Sequence, residues 1–223
     1  MENNIIYFEI SSVTCYIIKG KYGDLLVDTG FFNTYSKIKK WLSDFNVTHV
    51  FLTHAHADHD WNAHTLQNEG KKLLLSIKDK DLRQNFFSQK VNPTMQKYKF
   101  RNSIQALGAG VFNSKPYEPD IYITDENMDV LHSLGFDADI YSLPGHTLGS
   151  LGVLHNDVLY CGDAFTALWK KPDISPHAYD CEKMKESLKT IMSIAPKWLA
   201  CGHGAPVKME DSKKIIEDYL KQY

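Results

Sequence analysis

Apolar residues fall along this chain in short runs with two different periods. At 5–10, 14–19 and 24–28 they are bunched and rich in β-branched and aromatic types, which predicts three successive strands. At 34–45 the spacing widens, and Tyr35, Ile38, Trp41, Leu42 and Phe45 share one face of a helix. A strand is expected at 48–53, a helix at 60–69 stopped by Gly70, and a strand at 72–76. The second half repeats the style, with strands expected at 128–132, 138–143, 150–155 and 157–161. Asp180 can cap a helix whose apolar face is Met184, Leu188, Ile191 and Met192. A short strand at 197–201 and a helix over roughly 209–222, packed through Ile215, Ile216, Tyr219 and Leu220, close the chain. Strands followed by helices, given twice, predict an α/β fold of two sheets covered by outer helices.

Residues 53–60 read Thr-His-Ala-His-Ala-Asp-His-Asp, directly after the apolar run Val50-Phe51-Leu52. Alternating histidines at a strand end point to one side, because strand side chains repeat with period two. A helical turn after them presents Asp58 and His59 from a neighbouring direction. Four N and O ligand side chains within six positions suit zinc, with iron or manganese as alternatives. A surface or capping role fits that density poorly.

The chain has 223 residues, 43% hydrophobic and 23% charged, at formal net charge −2. These values suit one globular domain over 1–223 and give no general attraction to nucleic acid or an anionic membrane. No apolar run reaches membrane-spanning length, and the N-terminus lacks a basic patch followed by a long apolar stretch, so a cytoplasmic location is expected. Cys15, Cys161, Cys181 and Cys201 include no Cys-x-x-Cys pair, which fits reduced thiols. Cys161 and Cys201 each precede a candidate ligand by two residues; they line the layer beneath the metals or simply fill the core. Residues 78–115 hold eight basic and two acidic residues with interleaved aromatics. Two readings stand side by side for the insertion at about 77–120. It is a helical lid favouring an anionic substrate with an apolar part, or a solvated insertion packed on the body.

The octet resembles the His-x-His-x-Asp-His signature of the metallo-β-lactamase-fold hydrolases. The other segments of that pattern follow in order: Leu26-Val27-Asp28-Thr29-Gly30, Pro144-Gly145-His146-Thr147-Leu148-Gly149-Ser150, Tyr160-Cys161-Gly162-Asp163 and Cys201-Gly202-His203-Gly204. The resemblance runs from about residue 5 to 205 and implies a four-layer αββα sandwich with metals at one edge, between the sheets. It implies that His54, His56 and His146 hold a first divalent ion, Asp58, His59 and His203 a second, and Asp163 bridges them. It also implies that Asp28 sits near the metals, bonded to a ligand imidazole or a backbone amide, or else only shapes its turn.

Within the superfamily the Pro-Gly-His-Thr-x-Gly-Ser segment with a bridging Asp looks most like the glyoxalase II-like branch of thioester hydrolases. Only twenty residues follow His203, which argues against the C-terminal glutathione-binding domain of glyoxalase II itself. The expectation is therefore a dinuclear metallohydrolase that turns a metal-bound hydroxide on a small thioester, ester or lactone, with Asp58 carrying the proton. A mononuclear iron persulfide dioxygenase and a phosphodiesterase are the alternatives. Lys170, Lys171 and His177, which follow Asp163, are candidate contacts for a small, anionic substrate; surface roles compete for all three.

Overall fold

The computed structural model describes residues 5–83, 85, 88–98 and 114–221, apart from the side chain of Lys170. Fifteen strands are present among them: β1 (Ile6–Ile10), β2 (Val13–Ile18), β3 (Asp24–Val27), β4 (Val47–Phe51), β5 (Lys72–Ser76), β6 (Asn92–Pro93), β7 (Ile121–Ile123), β8 (Asp139–Ser142), β9 (Leu151–His155), β10 (Val158–Gly162), β11 (Phe165–Thr166), β12 (Asp173–Ile174), β13 (His177–Ala178), β14 (Trp198–Cys201) and β15 (Val207–Lys208). The helices are α1 (Tyr35–Leu42), α2 (Ala57–Asp60), α3 (Ala63–Asn68), α4 (Val130–Ser133), α5 (Cys181–Ile194) and α6 (Met209–Lys221).

One sheet has the order β1-β2-β3-β4-β5-β7 and the other β15-β14-β10-β9-β8. Strands β3, β4, β5 and β7 run parallel, as do β10 and β14. The alternation of side chains explains the layers. In β2, Tyr16 and Ile18 join a cluster with Leu25, Val27 and Phe51 of the first sheet and Val153, Val158 and Tyr160 of the second, so this cluster lies between the sheets. The intervening Cys15 and Ile17 face the other way, into a cluster with Leu26, Val50, Leu73 and the helical residues Ile38, Ala63 and Leu66. On the far side of the second sheet, Leu159, Cys161, Leu199 and Cys201 pack on Met184, Leu188, Ile191, Ile216 and Tyr219 of α5 and α6. Helix, sheet, sheet, helix is the αββα sandwich, and inner strands such as β2, β3 and β10 bury both faces because each sheet is covered on both sides. Cys161 and Cys201 are thus core fillers of the α5–α6 side. The T-shaped pair Tyr16–Tyr160, 5.2 Å between centroids, joins the two sheets, and Tyr16 donates to the carbonyl of Cys201 at 2.6 Å.

Two sequence expectations differ, and one strand of the first sheet was not foreseen. Residues 128–132 hold no strand: Val130–Ser133 is a single helical turn ending before Gly135, and Leu131 fills the space between the sheets. The last strand of the first sheet is instead Ile121–Ile123, a three-residue run too short to signal itself. The helix expected over 60–69 is two short pieces, α2 and α3, broken at Trp61 and Asn62. In the insertion at 77–120, residues 84, 86, 87 and 99–113 lie outside the described residues. The described remainder includes two short 3₁₀ turns, Ile77–Asp79 and Gln96–Tyr98, and strand β6, which pairs with β13 outside the insertion. Its basic residues Lys78 and Lys97 pair with Asp125 and Asp173 outside the insertion at 2.9 and 2.7 Å, and Arg83 pairs with Glu118 within it at 2.8 Å. Among the described residues no helix is long and apolar enough to cross a membrane.

Candidate metal centre

All five motif segments leave the carboxyl ends of strands at one edge of the sandwich. Asp28 follows β3, the octet follows β4, His146 follows β8, Asp163 follows β10 and His203 follows β14. Main-chain bonds lash these loops together: Leu151 N to Thr53 O, Thr29 N to His59 O, Thr14 N to Gly202 O and Gly202 N to Gly162 O, all 2.7–2.9 Å.

The geometry gathers the seven candidates into overlapping groups. His54, His56 and His146 form one, His54, His59 and Asp163 another, and Asp58, His59 and His203 a third, each with its ligand atoms within 4.8 Å of one another. His56 Nδ1 lies 2.9 Å from His146 Nε2. His203 Nε2 lies 3.4 Å from Asp58 Oδ2 and 3.2 Å from Asp163 Oδ2. Asp163 faces both groups, with Oδ2 3.5 Å from His146 Nε2 and Oδ1 3.5 Å from His59 Nε2. Two ligands of one tetrahedral zinc, each at about 2.0–2.1 Å, stand ~3.3 Å apart, so these separations suit a shared cation.

The backs of four of the five rings are also fixed. His59 Nδ1 donates to Asp28 Oδ2 at 2.9 Å. Thr53 donates its hydroxyl to the same carboxylate at 2.8 Å, which leaves its oxygen to accept from His54 Nδ1 at 3.1 Å. The Asp28 Oδ1 atom takes the Thr53 amide at 2.8 Å. His146 Nδ1 donates to the carbonyl of His177 at 2.9 Å, and His203 Nδ1 to that of Ser12 at 2.7 Å. With Nδ1 spent as a donor, Nε2 of His54, His59, His146 and His203 is the bare nitrogen that a metal takes. Buried His54 Nε2, His59 Nε2 and Asp163 Oδ1 have no hydrogen-bond partner. Orphaned buried polar atoms that converge on one space require a partner, and imidazole and carboxylate donors together suit a divalent first-row cation.

Charge points the same way. Burial, followed by the neighbouring His146, pushes His56 down to about 3, toward the neutral, ligating form. Burial also acts to lower His59, but Asp58, Asp163 and Asp28 outweigh it and lift the ring to about 9. Three carboxylates converge here and call for positive charge. The side chains of Asp58 and His203 are 35% and 20% exposed and form the open side of the cluster. Gly202 is held tight from within: a Cβ there would overlap Asp163 Oδ1 and His59 Cε1.

Lys171 is exposed beyond the 3₁₀ turn Leu168–Lys170, and the Lys170 side chain lies outside the described residues. The observed contact of His177 with the centre is through its main-chain carbonyl. Sequence reasoning passed over Ser12, which acts through a carbonyl, and Asp79, a buried carboxylate behind the first histidine group. A carbonyl leaves no mark in a sequence, and Asp79 stands among the basic residues of the insertion, where neither the lid nor the solvated reading singles it out.

This sandwich, with its metal-ligand cluster at the sheet edge, defines a class of protein. The model of the metallo-beta-lactamase superfamily matches residues 10–203, and the chain belongs to that superfamily. Protein ST1585 of Sulfurisphaera tokodaii, a metallo-beta-lactamase fold-containing protein, is 26% identical over 94% of this chain and 77% of its own length. A crystal structure of ST1585 superposes with a TM-score of 0.64 at 22% identity, covering 98% of this chain and 84% of that one. The di-iron-bound form of TTHA1623 superposes with a TM-score of 0.68 at 19% identity, over 95% and 97% of the two chains. A hydroxyacylglutathione hydrolase of Pseudomonas fluorescens is 41% identical over 66 residues, which is 26% of this chain and 25% of that protein.

Proposed function

We propose that this chain is a metal-dependent hydrolase of small thioesters, esters or lactones that works with two divalent cations. The observation that carries the reading is the meeting of the groups His54–His56–His146 and Asp58–His59–His203 at one carboxylate, Asp163. The first group would hold one cation, the second the other, and Asp163 would contact both. Zinc is the first choice, and iron or manganese fits the same donors. When bound, the cations supply Lewis acidity at the scissile carbonyl and acidify water at the site to a pKa of about 7.

The residues do the rest. Asp58 stands on the open side of the cluster, where its Oδ2 can take the proton of the attacking water and return it to the leaving group. Asp28, directly and through Thr53, keeps His59 and His54 in the tautomer that leaves Nε2 bare. Trp61 follows Asp58 by three residues, so the two are neighbours on one helical turn. Phe31 and Phe32 pack edge-on against Trp61 at 5.5 and 5.3 Å, and Phe32 is 54% exposed. Such a wall suits the apolar part of a substrate. Lys170, Lys171 and His177 remain candidates for an anionic part, and residues 77–120 for an insertion over the site of a single domain.

The thioester choice, and with it the glyoxalase II-like branch, draws support from the short match to a hydroxyacylglutathione hydrolase. A panel of thioesters, lactones, phosphodiesters and β-lactams, assayed on metal-quantified protein with and without chelator, tests it. Thioester or lactone turnover that chelation abolishes and metal restores is expected. Turnover indifferent to chelator, or oxygen uptake by protein loaded with a single iron, overturns the reading.

A further inference from the structure

Asp79 follows β5 and has no exposed surface. Both its oxygens are fully engaged. Oδ2 accepts from the Ala55 amide at 3.2 Å and from the Thr147 hydroxyl at 2.8 Å. Oδ1 accepts from the Gly149 amide at 2.8 Å and from the Gln89 side-chain amide at 3.1 Å. Gln89 in turn accepts from the Leu148 amide at 2.7 Å. Ala55 lies between His54 and His56, while Thr147, Leu148 and Gly149 follow His146 directly. One carboxylate therefore ties the loop carrying two histidines of the first group to the loop carrying the third. The approach is so close that a Cβ on Gly149 would stand 2.6 Å from the Asp79 carboxyl carbon. Among the described residues no cationic side chain pairs with Asp79. A buried carboxylate without a counter-charge is expensive even when fully hydrogen-bonded, and it gains most from positive charge nearby.

We infer that Asp79 is a positioning residue for the first cation, fixing the spacing of His54, His56 and His146 through the main chain on either side of them. The inference rests on the metal reading of this site. The second group has its own ties, through Thr29, Asp28 and Ser12, and makes no hydrogen bond to Asp79.

The chemistry selects the variant. The Ala55 and Gly149 amides can only donate, and Gln89 must present its NH₂ here because its oxygen is used by Leu148. Asp79→Asn therefore sets an amide NH₂ against at least one main-chain amide donor whichever way it turns, at almost unchanged volume. It is measured in two backgrounds: His203→Ala, which keeps the first group intact, and His56→Ala, which keeps the second. Cobalt(II) is titrated into each and followed by visible absorption, with far-ultraviolet circular dichroism confirming the fold. Asp79→Asn is expected to weaken cobalt binding roughly tenfold to hundredfold in the first background, and less than about threefold in the second. Equal losses in both, or no loss in either, overturn the inference. Should Asp79→Asn not fold, Gln89→Ala removes one donor to Asp79 and the acceptor of Leu148, and is expected to show the same preference with a smaller loss; its absence counts equally against the inference. Parent protein that takes up fewer than two ions contradicts the metal reading itself, and does so before any Asp79 variant is made.

Discussion

Asp28 shows how much one side chain can fix. It sits in the left-handed region at φ 58°, an unusual place for a residue other than glycine, and from there it reaches Thr53 and His59 at once. It thereby orients one imidazole in each metal group. Asp28→Ala is expected to weaken metal binding at both groups by roughly ten- to a hundredfold, read by competition with a chromophoric chelator; a loss confined to one group contradicts the double role. Gly202→Ala is expected to abolish binding of the second ion, because the added methyl takes the space of the Asp163 and His59 side chains. Metal content by elemental analysis checks it. Asp58→Asn is expected to cost about 10²- to 10⁴-fold in kcat, and an unchanged kcat removes Asp58 from proton transfer. At this scale the sequence was informative about which side chains converge: the octet, Asp163 and His203 are conspicuous. It was silent where main-chain atoms act, as at Ser12 and His177.

The elements decide whether those residues meet. The His146 loop is seated on the start of α5, through Tyr179 N to His146 O and Asp180 N to Gly145 O, both 3.1 Å. Asp180 then caps that helix by accepting from Glu182 N and Lys183 N. Asp180→Ala is expected to cost about 0.5–2 kcal/mol, and Leu188→Ala, in the same helix and fully buried, about 2–5 kcal/mol. Urea denaturation of both variants measures these; a Leu188→Ala loss below that of a surface substitution would contradict the packing of α5 on the second sheet. Helix α5 was legible because its cap and its 3.6-residue apolar stripe agree over fourteen residues. The turn at 130–133 was not: Val130 and Leu131 form an apolar pair too short to show a period, and strand and helix then read alike. The break between α2 and α3 escaped for a related reason. Asn62 leaves the helix to donate from its side chain to Thr29 O at 2.7 Å, a tertiary bond that local propensity does not contain.

For the whole molecule, two sheets meet so that the carboxyl ends of β3, β4, β8, β10 and β14 open at one edge, and the centre is assembled from segments as far apart as Ser12 and His203. Cations that bind only this assembled form stabilise it by mass action, by about 2.7 kcal/mol at a free concentration a hundred times the Kd. The melting temperature is therefore expected to rise with added zinc and to fall with chelator. Sandwich and centre were foreseeable together because the five segments occur in order along the chain. The placement of Asp79 behind the first group depends on tertiary hydrogen bonds that no periodicity marks. The most direct measurement is the number and position of ions in metal-loaded protein, by elemental analysis and anomalous X-ray scattering. Two ions per chain, one among His54, His56 and His146, the other among Asp58, His59 and His203, with Asp163 contacting both, are expected; a saturated protein holding one ion, or two that do not share Asp163, would contradict the dinuclear centre.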